Sequence, residues 1–346
     1  MHKKMADPAR ARAVRIVLVN WNGWRDTVEC LESVFRLCYA PEALQVIVCD
    51  NDSSDSSLER IARWADGVAV AEPVEGPLHH LSAPPVTKPI AYAFVDADMQ
   101  QAPAVPLLLV RTGGNLGFAG GNNVGIRLAM RDRATDFIWL LNNDTVVQSD
   151  SLALMVEKAC SAPGIGVVGS VNCFYSSPEI VQALGGGMFS RWRGTGRLYG
   201  SRIRLDQIAP AARAEAENEL QWVSGASMLV SRAFIEQVGL MEESYFLYFE
   251  EIDWAIRSRR RFSNALAYEA RIYHKGGSST GEQQDSHFAS YTQCRSRIKL
   301  YRNHMPMLLG FCYFSILKAT LSALLKGRMV LAKALAFAAR DELLGR

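Results

Sequence analysis

The sequence predicts an α/β fold with a Rossmann-like, mostly parallel central sheet flanked by helices, and three observations carry that reading. Short apolar runs alternate with segments whose apolar residues recur at helical spacing. The runs end in polar or glycine-rich clusters, as in a parallel sheet with functional loops at the carboxyl ends of its strands. The chain, 346 residues and 49% hydrophobic, is large enough for one such core and an appendage.

Residues 14–19 (VRIVLV) form the first expected strand, closed by Asn20-Trp21-Asn22-Gly23. Val28, Leu31, Val34 and Phe35 then mark a helix, and a second apolar run at 44–49 ends in the acidic string from Asp50 to Asp55, followed by a helix at 58–64. Prolines break up residues 72–106, which read as a peripheral insertion with a short strand at 90–95. His79 and His80 in it lack an acidic partner nearby and read as solvent-facing rather than metal-binding. A strand at 107–110 leads into a glycine-rich turn at 113–123 and a helix from 124 to about 130. Such a turn lets backbone N–H groups approach phosphates, and it also occurs merely to pack a helix on a strand. Residues 136–141 (DFIWLL) form the next central strand, ending in Asn142-Asn143-Asp144-Thr145. A helix at 151–160 and a strand at 165–170 complete the alternating half.

Beyond residue 170 the pattern loosens, and the glycines and arginines between 185 and 204 read as a loop, over the site or on the surface. A short acidic helix at 215–219 follows, then a strand at 220–230 interrupted at Ser224-Gly225-Ala226, where small residues allow close approach. A helix at 232–238 precedes the stretch of most chemical interest, and a strand at 265–273 runs into His274.

The net charge of +3 argues against a dedicated nucleic-acid binder. It is unevenly spread: residues 295–346 carry ten Lys/Arg against Asp341 and Glu342, a net +8, which leaves the remainder at −5. Seven scattered cysteines without a CxxC suit a reducing compartment and offer no zinc site. The basic N-terminus lacks an apolar core, so no signal peptide is expected there and a cytoplasmic location follows.

The stretch at 245–257, YFLYFEEIDWAIR, places Glu250, Glu251 and Asp253 between aromatic residues and arginines. Acids in the first turn and arginines in the last complement a helix dipole; three close carboxylates also mark a site. On a helix Glu250 and Asp253 share a face and Glu251 points about 100° away from Glu250. The glycine-rich turn comes far downstream of the first strand, which makes a dinucleotide-dependent oxidoreductase a poor fit.

Taken in order, VNWNGWRDTVECLES, VIVCDNDSSDSS, NLGFAGGNNVGI, WLLNNDTVV, WVSGASMLVSR, YFLYFEEIDWAIR and IYHKGGSST resemble the motifs of family 2 glycosyltransferases, inverting enzymes of GT-A fold, in the bacterial rhamnosyltransferase-like group. The resemblance implies a tail at 1–13 and a catalytic domain at 14–280, with a nucleotide-sugar half (14–170) and an acceptor half (171–280). It makes Asp50 the carboxylate that reads the donor's base, with Asn20, Asn51 and Asp52 beside it. It places Asn115, Gly117, Gly120, Gly121, Asn122 and Asn143 around the donor's ribose and diphosphate. Asp144 stands in the DxD-like metal motif, with Asn142 where a first acid would be, and His274 completes a Mg²⁺ or Mn²⁺ site. Glu251 falls at the general base, usually Asp, with Glu250 and Asp253 in support. Aromatic faces suit sugar rings, so Trp222, Gly225 and Trp254 are acceptor-side candidates, while core packing explains the tryptophans equally well.

The resemblance further implies a nucleotide-sugar donor (dTDP-, UDP- or GDP-linked) and a glycan or polyprenyl-diphosphate-linked acceptor. Residues 305–325 are apolar over the length of a membrane helix, but Lys318 inside them and flanking basic residues favour an interfacial helix, followed by a second helix at 328–344. Residues 281–346 are therefore expected to be a helical, membrane-associating region on the inner face of the plasma membrane. Packing in a homo-oligomer or a true membrane span is the alternative for the same helix. Two rival functions share these features: a nucleotidyltransferase, and a membrane-docked binding protein with a degenerate site.

Overall fold

The computed structural model describes residues 11–69, 76–276 and 287–345. The first ten residues of the N-terminal tail, part of the insertion and the GSST end of the His274 motif lie outside the described residues.

The first half alternates as the sequence predicts: β1 (Val14–Asn20), α1 (Trp24–Val34), β2 (Leu44–Asp50), α2 (Ser57–Ala65), the one-turn α3 (His79–Ser82), β3 (Tyr92–Asp96), β4 (Leu107–Arg111), α4 (Gly117–Arg131), β5 (Phe137–Asn142), β6 (Thr145–Val147), α5 (Ser151–Cys160) and β7 (Ile165–Phe174). The second half comprises β8 (Ser177–Leu184), β9 (Gly186–Ser190), β10 (Thr195–Leu198), α6 (Pro210–Glu219), β11 (Trp222–Val223), β12 (Ser227–Ser231), α7 (Arg232–Val238), α8 (Glu250–Ser258) and β13 (Ser263–His274). Three helices follow, α9 (His287–His304), α10 (Leu309–Leu325) and α11 (Met329–Leu344).

The main sheet runs β3-β4-β2-β1-β5-β12-β7-β13-β6, with β8 beside β7. Strands β3, β4, β2, β1 and β5 are mutually parallel, whereas β12 lies antiparallel between β5 and β7. Both faces are covered. On one face Val17, Ile47 and Leu108 share a core with residues of α4 and α7, and on the other Ile16, Val46 and Leu109 share one with residues of α1, α2 and α5. Burial on two faces explains why these strands read as unbroken apolar runs. The insertion's strand, expected at 90–95, becomes the sheet's edge as β3.

Two expectations fail. The glycine-rich segment is not a loop that precedes a helix at 124: α4 already begins at Gly117. A Cβ on Gly121 would lie 2.8 Å from Val19, and one on Gly125 2.4 Å from Val17. Glycine there lets the helix sit close on β1, and that packing outweighs its poor helix propensity. Likewise, the stretch of glycines and arginines between 185 and 204 is not all loop but holds β9 and β10, with β9 pairing β10 and β11 in a small antiparallel sheet. Backbones approach so closely that a Cβ on Gly187 would lie 2.0 Å from the Arg197 carbonyl.

The tail is helical as expected and clasps the body through α9. Leu300 packs on Tyr245, Phe249 and Ile252, and the Ser296 hydroxyl donates to the Leu247 carbonyl at 2.8 Å. α10 and α11 pack against α9 around Ile298, Ile316 and Ala338.

Candidate active site

The polar strand ends form one row. Asn20 stands opposite Asp50, and Val19 opposite Asn142, in the parallel register of β1 with β2 and β5. The Asn142 N–H donates to the Ala226 carbonyl at 3.1 Å, which brings Gly225 to the row. β13 meets β6 antiparallel, with His274 opposite Thr145 and the Lys275 N–H donating to the Asp144 carbonyl at 3.0 Å. The N-terminus of α8 closes the other side, and a cavity of about 820 Å³ lies between them.

Tyr248 and Phe249 reach α8 with φ of +70° and +72°, left-handed conformations that are unfavourable for such bulky residues. Backbone strain of this kind persists where the surroundings impose it, and it clusters at functional sites. Its effect is to aim the end of α8, rather than its side, at the cavity. Glu250 and Glu251 therefore both line the cavity. The expected grouping of Glu250 with Asp253 does not hold: Asp253 accepts from Arg257 at 2.7 Å and lies 2.5 Å from His304 on α9.

Each acid responds to its place. Burial raises the pKa of Glu251, while N–H groups at the helix start and of Gly225 partly offset it. The Gly225 N–H reaches Glu251 Oε1 at 3.2 Å, and a Cβ on Gly225 would lie 2.4 Å from that oxygen. Glu250 is pushed well above the ordinary carboxylate range by burial and then by the charge of Glu251. Its Oε2 has no hydrogen-bond partner among the described residues. Burial also pushes Asp253 upward, but the His304 contact and the Arg257 guanidinium outweigh it and hold the carboxyl below its usual range.

Asp144 and His274 meet across the cavity, His274 Nε2 lying 3.1 Å from Asp144 Oδ1. The same nitrogen is 3.1 Å from the Asn142 side-chain nitrogen, and Nδ1 is 2.8 Å from Gln182 Oε1. Two neighbouring ligands of an octahedral divalent ion stand roughly 3.0 Å apart, given metal–ligand distances of about 2.1 Å. The pair thus fits one small divalent ion, with one carboxylate and one imidazole as protein donors. No group of three or more His, Cys, Asp or Glu able to hold a metal occurs among the described residues. Such an ion would take its remaining ligands from water and substrate.

Of the donor-side candidates, Asn51, Asn115, Gly117, Asn122 and Asn143 line the cavity. Asn51 Nδ2 donates to the Gly117 carbonyl at 2.9 Å and Asn143 Nδ2 to the Thr27 hydroxyl at 2.9 Å, so both also brace the wall. Asn20, Asp50, Asp52, Gly120 and Gly121 are not among the lining residues. Asp50 sits just behind, accepting from Asn20 Nδ2 and the Ser53 hydroxyl at 2.6 Å each and from the Ser53 N–H at 3.0 Å. Gly120 and Gly121 face Leu116 and Val19, which gives them a packing role.

Of the acceptor-side candidates Gly225 lines the cavity and the two tryptophans do not. Trp254 is fully buried, stacked edge-on to Phe234 at 5.0 Å with its indole donating to the Gly239 carbonyl at 2.9 Å; it belongs to the core. Trp222 packs beside Gly196 and Ile252, away from the cavity. The aromatic wall is instead built by Trp21, Phe118, Phe246, Tyr248 and Phe288. Phe288 comes from α9, where no sequence motif marked it, and Gln182 comes from β8, a stretch to which the sequence pattern assigned no element.

No family model matches the chain. Among curated proteins, the low-salt glycan biosynthesis hexosyltransferase Agl10 of Haloferax volcanii is 27% identical over 157 residues, 45% of this chain and 47% of that one. The N-acetylglucosaminyl-diphospho-decaprenol L-rhamnosyltransferase of Mycobacterium tuberculosis is 25% identical over 213 residues, 56% of this chain and 66% of that one. The chain thus spans about half to two thirds of the length of these relatives. Among solved structures, the mannosyltransferase PcManGT from Pyrobaculum calidifontis, in complex with GDP-Man and Mn²⁺, matches with a TM-score of 0.54 at 15% identity over 98% of this chain and 89% of that one. GalNAc-T7 with UDP, GalNAc and Mn²⁺ matches with a TM-score of 0.52 at 14% identity, over 83% of this chain and 48% of that one. The fold is that of the GT-A glycosyltransferases. Together with the curated relatives, it supports the resemblance of the chain to family 2 glycosyltransferases of the rhamnosyltransferase-like group.

Proposed function

We propose that this protein is an inverting, metal-dependent glycosyltransferase that moves a sugar from a nucleoside-diphosphate donor to a hydroxyl of a glycan or lipid-linked glycan. The observation that carries the proposal is the presence, in one cavity, of the half-buried Glu251 carboxylate and the Asp144–His274 pair. Rhamnose is the sugar favoured by the name of the mycobacterial relative, and a polyprenyl-diphosphate acceptor follows from the same name. Mn²⁺ accompanies the nucleotide in the two solved neighbours, in keeping with a divalent ion here.

Glu251, with its raised pKa, takes the proton of the acceptor hydroxyl as that oxygen attacks the anomeric carbon. The bond from that carbon to the diphosphate oxygen breaks, and the nucleoside diphosphate leaves with the electron pair. A divalent ion, when bound, neutralises charge on the diphosphate; Asp144 and His274 would hold it. Asn51, Asn115 and Asn122 line the donor side, with Asp50 braced behind them for the base. Phe246, Tyr248 and Phe288 exclude water around the acceptor hydroxyl. Residues 14–170 serve the donor and 171–280 the acceptor in this scheme, and α10 carries the protein on the cytoplasmic face of the membrane.

Product analysis tests this. The expected outcome is release of nucleoside diphosphate and a product of inverted anomeric configuration, with Glu251→Gln lowering kcat by about 10²–10⁴-fold while donor binding in a thermal-shift assay persists. Pyrophosphate release from a nucleoside triphosphate would favour a nucleotidyltransferase. Full activity of Glu251→Gln would remove the base assignment.

A further inference from the structure

We propose that Gln182 is a positioning residue that selects the tautomer of His274 and so leaves the metal-facing nitrogen free to coordinate, an inference that rests on the metal-dependent reading above. Gln182 Oε1 lies 2.8 Å from His274 Nδ1. A carboxamide oxygen only accepts, so Nδ1 carries the hydrogen and donates it. In the neutral ring a hydrogen on Nδ1 leaves a lone pair on Nε2, the atom 3.1 Å from Asp144 Oδ1.

The surroundings of Nε2 agree independently. The side-chain nitrogen of Asn142 lies 3.1 Å away and, as a donor, needs an acceptor there. The opposite tautomer would set two lone pairs against each other at Gln182 and two N–H groups against each other at Asn142. With the hydrogen on Nδ1, one unfavourable contact remains, between the Nε2 lone pair and the Asp144 carboxylate. A cation touching both atoms converts that contact into coordination. The sequence offers no hint of this role, because Gln182 is 92 positions from His274.

The fold delivers Gln182 from β8, at the register shift between the Ala183–Asn172 and Val181–Cys173 pairs. β8 pairs antiparallel with β7, with Ala183 opposite Asn172, and β7 pairs with β13, which ends at His274. The Gln182 amide nitrogen lies toward Gly276, where a Cβ would stand 3.3 Å from it. Gly276 has φ +70°, so glycine suits that backbone and leaves space beside the amide. Outer hydrogen-bond partners of metal-ligating histidines fix ring orientation and basicity, and their loss typically weakens metal binding by about 10–100-fold.

Two readouts test the proposal, neither of them turnover. Long-range ¹H–¹⁵N spectra of histidine-labelled protein at pH 8 without metal are expected to show His274 with its hydrogen on Nδ1, the signal being assigned by its loss in His274→Asn. Mn²⁺ titration followed by electron paramagnetic resonance is expected to give a dissociation constant about 10–100-fold higher in Gln182→Leu. Gln182→Glu, which keeps an accepting oxygen, is expected to retain both the tautomer and the affinity. A hydrogen on Nε2 in the wild-type protein, or wild-type Mn²⁺ affinity in Gln182→Leu, overturns the role of Gln182. If the wild-type protein binds no Mn²⁺ at all, the metal-dependent reading fails, and the proposal with it. Should Gln182→Leu not fold, the wild-type tautomer and Gln182→Glu still decide.

Discussion

At the scale of single residues, protonation separates the acids of α8. Glu250 and Glu251 hold their protons to higher pH than in the unfolded chain. Their contribution to folding is therefore fully present below the ordinary value of 4.5 and is lost as pH rises through their folded values. Asp253 runs the other way: its stabilisation is present above the ordinary 3.8 and disappears as pH falls through its lowered value. For catalysis, kcat/KM should rise with pH along a limb whose midpoint lies above 4.5, because Glu251 must be ionised to act as base. A pH–rate profile with that midpoint at or below 4.5 would contradict the role. The meeting of Glu251, Asp144 and His274 in one cavity was legible because acids and a histidine at strand or helix ends imply convergence on one sheet edge. Trp254 and Asp253 were misplaced because adjacency in sequence hides how a helix is aimed: only its first two residues reach the cavity.

At the scale of elements, the alternating half was legible from apolar runs alone, since strands buried on two faces announce themselves. The glycine-rich elements were not. Glycine is the same letter whether it makes a turn, lets α4 settle on β1, or allows β9 to approach β10 and β11, and only tertiary contacts distinguish these uses. The junction of α8 with α9 is a second feature invisible in sequence. Asp253, its side chain 3% exposed, pairs with Arg257 and with His304 51 positions away. Asp253→Ala should cost about 3 kcal/mol, since it leaves a cation without its partner in a largely buried setting. Urea denaturation measures this, and a loss below about 0.5 kcal/mol would reduce the contact to a surface pair.

At the scale of the whole molecule, a membrane-facing side is the finer part of the proposed function. The segment Pro306–Leu325 is long and apolar enough to cross a bilayer, with 17% of its most apolar window buried. Phe314, Leu317 and Leu321 are more than half exposed, and Lys318, Lys326 and Arg328 supply positive charge beside them. Replacing Leu317 and Leu321 with Glu should lower binding to anionic vesicles by at least about tenfold, since each buried leucine contributes about 1.5–3 kcal/mol. Undiminished co-sedimentation would argue that α10 meets a second protein chain instead.

The clasp of α9 on the body bears on how this protein is handled in the laboratory. Trimming apolar C-terminal helices is the usual remedy for poor solubility, and here a cut that took α9 along with α10 and α11 would expose Tyr245, Phe249 and Ile252, which Leu300 of α9 covers. It would also take Phe288 out of the cavity wall and His304 away from Asp253. A shortened protein made for convenience would then lack part of its own cavity wall. Substituting the outward leucines of α10 while keeping α9 whole is the sounder route to a soluble, intact protein.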